Sequence, residues 1–513
     1  MSDFENEKNA DYTPLYVENL KCESFRKEVT ADFVLPDYMG DVKRVLKYTA
    51  EATPCNKIVS SEEASFLCIV TFRVTYLDSE DTLTEAVFTA DAEFGQKFSS
   101  EIADADAEFT AGSLAVRLGG PRKISAKTLV SCEITAVEKR KICERAEYDG
   151  AEMLKKEIEI HTAEYLKIAE REYAEEIDRL EELMADEVEV VKSYASPFID
   201  GVYKTDGGVN ISGYVDAFCI IRTDEEIKRL EKRIPIEEHI ECEWKEGSAF
   251  VPKAHVTGVS VNLNNVNSDD TCAVSVVMTM TAECLLAHHY NERVSVVKDA
   301  FYKRCKNDCR YRETEFSTLG DCVFDKASFT FSFDRSETPL RDVIEKDIVL
   351  KNPGYEISGG EITVFSEGEL HLITRGNEPE SCSSLKEKVE FSKKYRIGAC
   401  DKCKVSISTV PCDVSVSFDS EKIYVEAEII VSVVIEKHGC EEILSDIYCE
   451  EISDNGEREV FVYYPEKEDT LWSVSKKYAV SPSDISERNP ACTYDNGEQT
   501  NVFDIGKIII ANQ

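Results

Sequence analysis

The residues able to do chemistry are few and dispersed. Cys400-x-x-Cys403 is the one CxxC of the chain. It supplies two thiolates where a structural zinc takes four ligands, so Cys412 as a third and Cys382 or a histidine as a fourth would have to complete the set, and the pair reads instead as an ordinary reduced turn. His288 and His289 are neighbours in a strand pattern, which points their rings to opposite faces of a half-exposed strand and argues against a shared metal. Asp104-x-Asp106-x-Glu108 has the carboxylates of a calcium loop without its central glycine and closing glutamate, and reads as a solvated loop. Gly119-Gly120-Pro121-Arg122-Lys123 lacks the spacing that wraps a phosphate. No Gly-x-Ser-x-Gly elbow and no His-Glu-x-x-His motif occurs, and with 7 histidines general bases are scarce. Among 100 acidic residues no carboxylate pair can be singled out as a glycosidase pair. The expectation is a non-enzyme: no catalytic residue, no cofactor and no metal.

The elements that must carry these residues are strands. Phe66 to Tyr76, Val209 to Ile221, Thr271 to Leu286, Ala327 to Phe333, Glu361 to Ile373 and Ile423 to Ile435 alternate apolar and polar residues and are rich in Val, Ile, Thr, Phe and Tyr. Such runs, separated by Gly and Asn/Asp turns, predict β-sandwich or barrel-like modules. The length of 513 residues allows roughly three or four domains. A charge of −40, from 60 basic and 100 acidic residues, excludes a phosphate-neutralising surface, so neither nucleic acid nor an anionic membrane is an expected partner. Met1 to Asp11 is polar and acidic and no long apolar run occurs, so neither a signal peptide nor a membrane span is expected. The 19 cysteines, an odd number scattered singly through strands, fit a reducing compartment.

The pattern repeats. A short motif read as helical occurs as Asp41-Val42-Lys43-Arg44-Val45-Leu46, as Glu176 to Leu183, and as Pro339-Leu340-Arg341-Asp342-Val343-Ile344. A long alternating strand follows each, then a second strand (Thr84 to Phe94, Lys232 to Glu243, Lys386 to Ile397) and two more around a turn. The closing runs Val296-Val297-Lys298-Asp299-Ala300-Phe301 and Ile443-Leu444-Ser445-Asp446-Ile447-Tyr448 are alike. Ala151 to Met184 has two readings, one long amphipathic helix or a strand over Ile158–Tyr165 running into the second short helix; the repeat register favours the second. Cys305 to Arg312 reads as a joint. Three tandem units are expected, at residues 12–148, 149–303 and 313–452.

The C-terminal stretch has different grammar. Val460 to Tyr464 alternates as a strand. Asp469 or Thr470 caps a helix bearing Leu471, Trp472, Val474 and Tyr478, and Ser481-Pro482 opens a second helix closed by Asn489-Pro490. Gly506 introduces a last strand, Lys507 to Ala511. This βααβ order over residues 459–513, with Asp469-Thr470-Leu471-Trp472, Lys477-Tyr478, Asn489-Pro490 and Ile505-Gly506-Lys507-Ile508, resembles the LysM family. In so small a domain Leu471, Trp472 and Tyr478 are expected in the core. The resemblance implies a shallow groove for N-acetylglucosamine polymers, formed by Asp469, Thr470 and Leu471 on one loop and Asn489, Pro490 and Ile508 on the other. Glu468 stands where the family usually has glycine, and Ala491–Asp504 is longer than usual. Both departures fall at the groove and turn the expectation toward a protein contact.

Acidic β repeats followed by one LysM module resemble the sporulation proteins that carry SPOCS repeats. Glu28-Val29, Leu35-Pro36-Asp37 and Asp41 to Leu46 are similar to the opening of that repeat. The resemblance implies a mainly β chain, three sandwich- or barrel-like repeats with short helices plus the small βααβ module. It further implies a spore-coat morphogenetic scaffold in the mother-cell cytoplasm, at the forespore and spore-coat surface. There the LysM module would contact the coat-scaffold ATPase, a protein of the stage IV sporulation protein A type. The alternative is a peptidoglycan- or chitin-oligomer-binding protein at the cell wall.

Overall fold

A computed structural model of the chain describes residues 14–511 except 168–169, 225, 268–271, 336–339, 377–380, 401, 452–459, 493–501 and 503–504. The alternating runs become long antiparallel strands. The first stretch comprises β1 (Leu15–Val34), β2 (Val42–Val59), β3 (Glu63–Asp78), β4 (Leu83–Lys97), β5 (Ile102–Ala111), β6 (Ala115–Gly120) and β7 (Lys123–Cys143). Strands β2, β3 and β4 form one meander sheet, while β7 returns to pair with β1, β5 and β6. The second stretch comprises β8 (Ala151–Lys167), β9 (Arg171–Glu181), β10 (Glu189–Thr205), β11 (Gly208–Arg222), β12 (Ile227–Glu241), β13 (Ala249–Asn267) and β14 (Cys272–Tyr302). Here β10-β11-β12 is the meander and β14 pairs with β13, β8 and β9. In the third stretch the strands are β15 (Cys305–Asp334), β16 (Asp342–Ser358), β17 (Glu361–Arg375), β18 (Cys382–Arg396), β19 (Cys403–Phe418) and β20 (Lys422–Glu451). Their sheets are β16-β17-β18 and β15-β20-β19, and among the described residues none of the sheets closes into a barrel.

Alternation decides what is buried. Along β3 the side chains of Ala64, Phe66, Cys68, Val70, Phe72, Val74 and Tyr76 all point inward. They meet Ile124, Ala126, Val130, Cys132, Ile134 and Ala136 of β7, so the two sheets of the first stretch share one apolar layer. Strands β11 and β14 bury Val209, Ile211, Val215 and Ala217 against Val274, Val276, Met278 and Met280 in the same manner. In the third stretch β17 faces β20.

The short helices expected before residue 452 are strands. Val42–Leu46 open β2 with Asp41 just ahead of it, Glu176–Leu183 falls largely in β9, and Asp342–Ile344 open β16; Pro339 lies outside the described residues. The physical reason is bulging. Register shifts lie between Val42 and Arg44, between Val45 and Lys47, between Val343 and Glu345, and opposite Ile177, where Val276 and Val277 are consecutive. Each bulge inserts a residue into the alternation and breaks its even spacing: buried Ile177 and Leu180 lie three apart, and between buried Val42 and Leu46 the intervening Arg44 is exposed. That spacing imitates a helix. Ala151 to Met184 likewise forms β8 and β9 rather than a helix, and Cys305 to Arg312, read as a joint, are the first residues of β15. In the second stretch the bulge matching those of β2 and β16 lies between Val190 and Lys192, not at Glu176.

These bulges meet at one place. Leu46, Leu77 and Leu83 of the first stretch, Phe218, Ile220 and Ile227 of the second, and Ile344, Ile373 and Cys382 of the third form one cluster. Three arginines tie the meanders into a ring: Arg222 donates to the Leu83 carbonyl at 3.3 Å, Arg375 to Ile227 at 2.9 Å and Arg44 to Cys382 at 2.7 Å.

Candidate functional site

The C-terminal module consists of β21 (Val460–Tyr463), α1 (Leu471–Tyr478), α2 (Pro482–Arg488) and β22 (Ile508–Ala511), with β21 and β22 antiparallel. Thr470 caps α1: its Oγ1 accepts the Ser473 N–H at 3.1 Å while its own N–H donates to Ser473 Oγ at 3.0 Å. Ala479 ends the helix in the left-handed region, φ 51°, a conformation that glycine adopts without strain. Leu471, Val474, Val480, Ile485, Cys492, Val502, Ile508 and Ile510 make the core.

Most of the six expected groove residues serve this architecture. Leu471 and Ile508 are core, at 1% and 0% exposure. Asp469 Oδ2 accepts the Tyr463 hydroxyl at 2.6 Å and the Glu466 N–H at 2.7 Å, which closes the turn ahead of α1. Asn489 donates through Nδ2 to the carbonyls of Ile485 and Ile509 and accepts the Ile509 N–H, each at 2.8 Å, and so stitches α2 to β22. Thr470 is the helix cap and Pro490 is exposed. Glu468 is exposed; the long stretch Ala491–Asp504 lies mostly outside the described residues.

Trp472, expected in the core of the small module, is buried elsewhere. Its ring packs 5.2 Å from Phe301 and against Leu154, and its Nε1 donates to Asp299 Oδ2 at 2.8 Å. Lys476, one turn on, donates to Asp299 Oδ1 at 2.6 Å and to the Tyr311 hydroxyl at 3.0 Å. Burial works against the Lys476 ammonium, but these partners outweigh it and raise its pKa. The signal available in sequence was Asp299 in the closing run of the second unit; nothing local to Trp472 indicated its partner.

The sequence candidates for chemistry are drawn into the framework. Asp104, Asp106 and Glu108 lie on β5 rather than in a loop, and Lys57 reaches Asp104 at 2.6 Å while Lys253 of β13 reaches Asp106 at 3.1 Å and Glu108 at 3.3 Å. Arg122 clamps the Leu35–Asp41 segment through the carbonyls of Leu35, Pro36 and Met39 and the Asp41 carboxylate. Cys400 and Cys403, expected as a reduced turn, form a disulfide, while Cys382 and Cys412 pack in other clusters. His288, expected to be half-exposed, is fully buried and stacks 4.5 Å from Phe250. His289 meets a partner that sequence distance conceals, His161, with Nδ1 to Nε2 at 3.1 Å. Burial pushes His161 down to about 3 and His289 down to about 4, and each is further lowered by a cationic neighbour, so both rings are neutral. Among the described residues no three metal-ligating side chains come together.

Under the ring of meanders sits a buried charge cluster that sequence reasoning missed. Lys47, Lys192 and Glu345 are 4%, 6% and 2% exposed. Glu345 pairs with Lys47 at 2.5 Å and Lys192 at 3.0 Å; Lys192 reaches Glu85 at 2.9 Å, Arg73 reaches Glu85 at 3.1 Å, and Lys47 reaches Asp347 at 3.1 Å. Burial alone would raise the Glu345 carboxyl, but the two lysines overcome it and hold it down at about 2. All three stretches contribute, so the cluster locks them together.

No protein family, curated protein or solved structure matches the chain. The class of molecule the fold itself defines is a mainly β chain of several small sheets, in which no helix among the described residues is long and apolar enough to cross a membrane.

Proposed function

We propose that the chain is a non-catalytic assembly scaffold: three SPOCS-like β units at residues 12–148, 149–303 and 313–452, followed by a LysM-like module at residues 459–513. It works in spore-coat assembly, in the mother-cell cytoplasm at the forespore surface. The observation that carries this reading is the order of strand pairing. An opening strand, a three-stranded meander and a strand returning to the first follow one another in each stretch, ahead of a βααβ module. A protein partner is favoured over a glycan because Asn489 spends both amide donors and an Oδ1 lone pair within the module, and Asp469 Oδ2 already accepts two hydrogen bonds there. The expected partner is the coat-scaffold ATPase of the stage IV sporulation protein A type. Affinity capture from sporulating cells, with the full chain and with a chain lacking residues 460–513, tests this. Loss of the ATPase on truncation supports the proposal, and its equal recovery with both removes the module's role. Titration with chitin oligomers tests the second reading, a cell-wall N-acetylglucosamine-binding protein, which the exposed Pro490 beside α2 keeps in play; micromolar affinity would establish it.

A further inference from the structure

Trp472 and Lys476 stand one helical turn apart on one face of α1. Neither belongs to the module's core, yet Trp472 is only 5% exposed. Its cover is a platform of the second stretch, Leu154 on β8 with Phe301 on β14. The indole N–H and the Lys476 ammonium both end on one carboxylate, Asp299, which also accepts the Tyr311 hydroxyl at 2.7 Å.

The platform is particular to its place. A bulge between Val297 and Asp299 sets Asp299 opposite Leu154. In the third stretch the corresponding bulge sets Asp446 opposite Arg310, and Tyr448 takes the place of Phe301. There the Arg310 guanidinium lies 4.6 Å over the ring of Tyr448, which is 49% exposed, so a cation occupies the position where the second stretch offers an apolar wall. An indole and an ammonium fit the first surface and not the other. The tether is short as well. Strand β20 ends at Glu451, opposite Cys305 and a tight turn from Tyr302 at the end of β14, and eight residues of sequence separate Glu451 from Val460 of β21, a separation that keeps the effective concentration of the module at its platform high.

We propose that Leu154, Asp299, Phe301 and Tyr311 form a docking platform for α1, and that the C-terminal module exchanges between a latched state and a released one. In the latched state Trp472 and Lys476 are covered. On release that helix face binds a partner protein surface of the same chemistry, a carboxylate beside an apolar wall. Because both polar tips share Asp299, losing that one carboxylate undoes both contacts at once.

The test uses the full chain with Trp244→Phe, which leaves Trp472 as the one tryptophan of the original 2. Acrylamide quenching and the emission maximum then report the latch, and the urea midpoint reports the body. Asp299→Asn and Lys476→Ala are each expected to raise the quenching constant at least threefold and shift emission to the red, with the urea midpoint of the body unchanged. If Asp299→Asn weakens the body itself, Lys476→Ala decides, because that residue lies on the module. A Trp472 as shielded in Lys476→Ala as in the parent overturns the proposal.

Discussion

Replacing Glu345 with glutamine removes the negative charge that two buried lysines share while keeping the shape of the side chain. The size of the effect follows from the carboxyl itself. It is held at about 2 against an ordinary 4.5, a gap worth about 3 kcal/mol at roughly 1.4 kcal/mol per pH unit. Removing one member of a buried pair typically costs about 3–5 kcal/mol, which agrees. Lys47 retains Asp347 and Lys192 retains Glu85, so the lower end is expected. The sign follows from the depressed folded-state value. The contribution is complete above pH 4.5 and is lost as pH falls toward 2. Urea unfolding at pH 7 should therefore place Glu345→Gln about 3 kcal/mol below the parent, and at about pH 3 the difference should shrink to less than half. A difference under about 1 kcal/mol at pH 7, or one that does not change with pH, would refute the view that this cluster locks the three meanders.

The remaining predictions concern other joints. His161 and His289 are buried neutral, with folded-state values below the ordinary 6.5, so their contribution is complete above pH 6.5 and erodes as pH falls toward 4. Between pH 6.5 and 5, before most carboxylates titrate, the parent should lose up to about 1.4 kcal/mol per pH unit for each ring, and His161→Gln with His289→Gln should flatten that slope in urea melts; an unchanged slope counts against it. Ala479→Gly relieves a left-handed cap and should stabilise the module by about 1 kcal/mol, read as slower amide exchange in α1. Asn489→Ala removes three hydrogen bonds and should destabilise the module by about 2–4 kcal/mol, exposing α2 and β22 to proteolysis while the rest of the chain stays protected.

The difference between what could be read and what could not is physical. Alternation is a local property, and the cores of β3, β11, β17 and β20 were legible in the runs Phe66–Tyr76, Val209–Ile221, Glu361–Ile373 and Ile423–Ile435. Capping chemistry is local too: Ser481-Pro482 and Asn489-Pro490 marked the ends of α2, and of the two caps read for α1, Asp469 or Thr470, the structure takes Thr470. Bulges defeated the reading, because one inserted residue at Leu46 or Ile344 turns a spacing of two into the spacing of a helix, and only the facing strand reveals it.

Sequence by itself determined that this chain is mainly β, strongly acidic, and ends in a βααβ module, since these depend on residue type and near neighbours. Tertiary structure alone decided which charges meet. Lys47 and Glu345 are 298 positions apart, and His161 and His289 are 128 apart. It also decided where Trp472 goes. A helix this short shows which side chains share a face, but not which face finds its partner inside the module; Leu471 and Val474 filled the core, and Trp472 was left for Asp299.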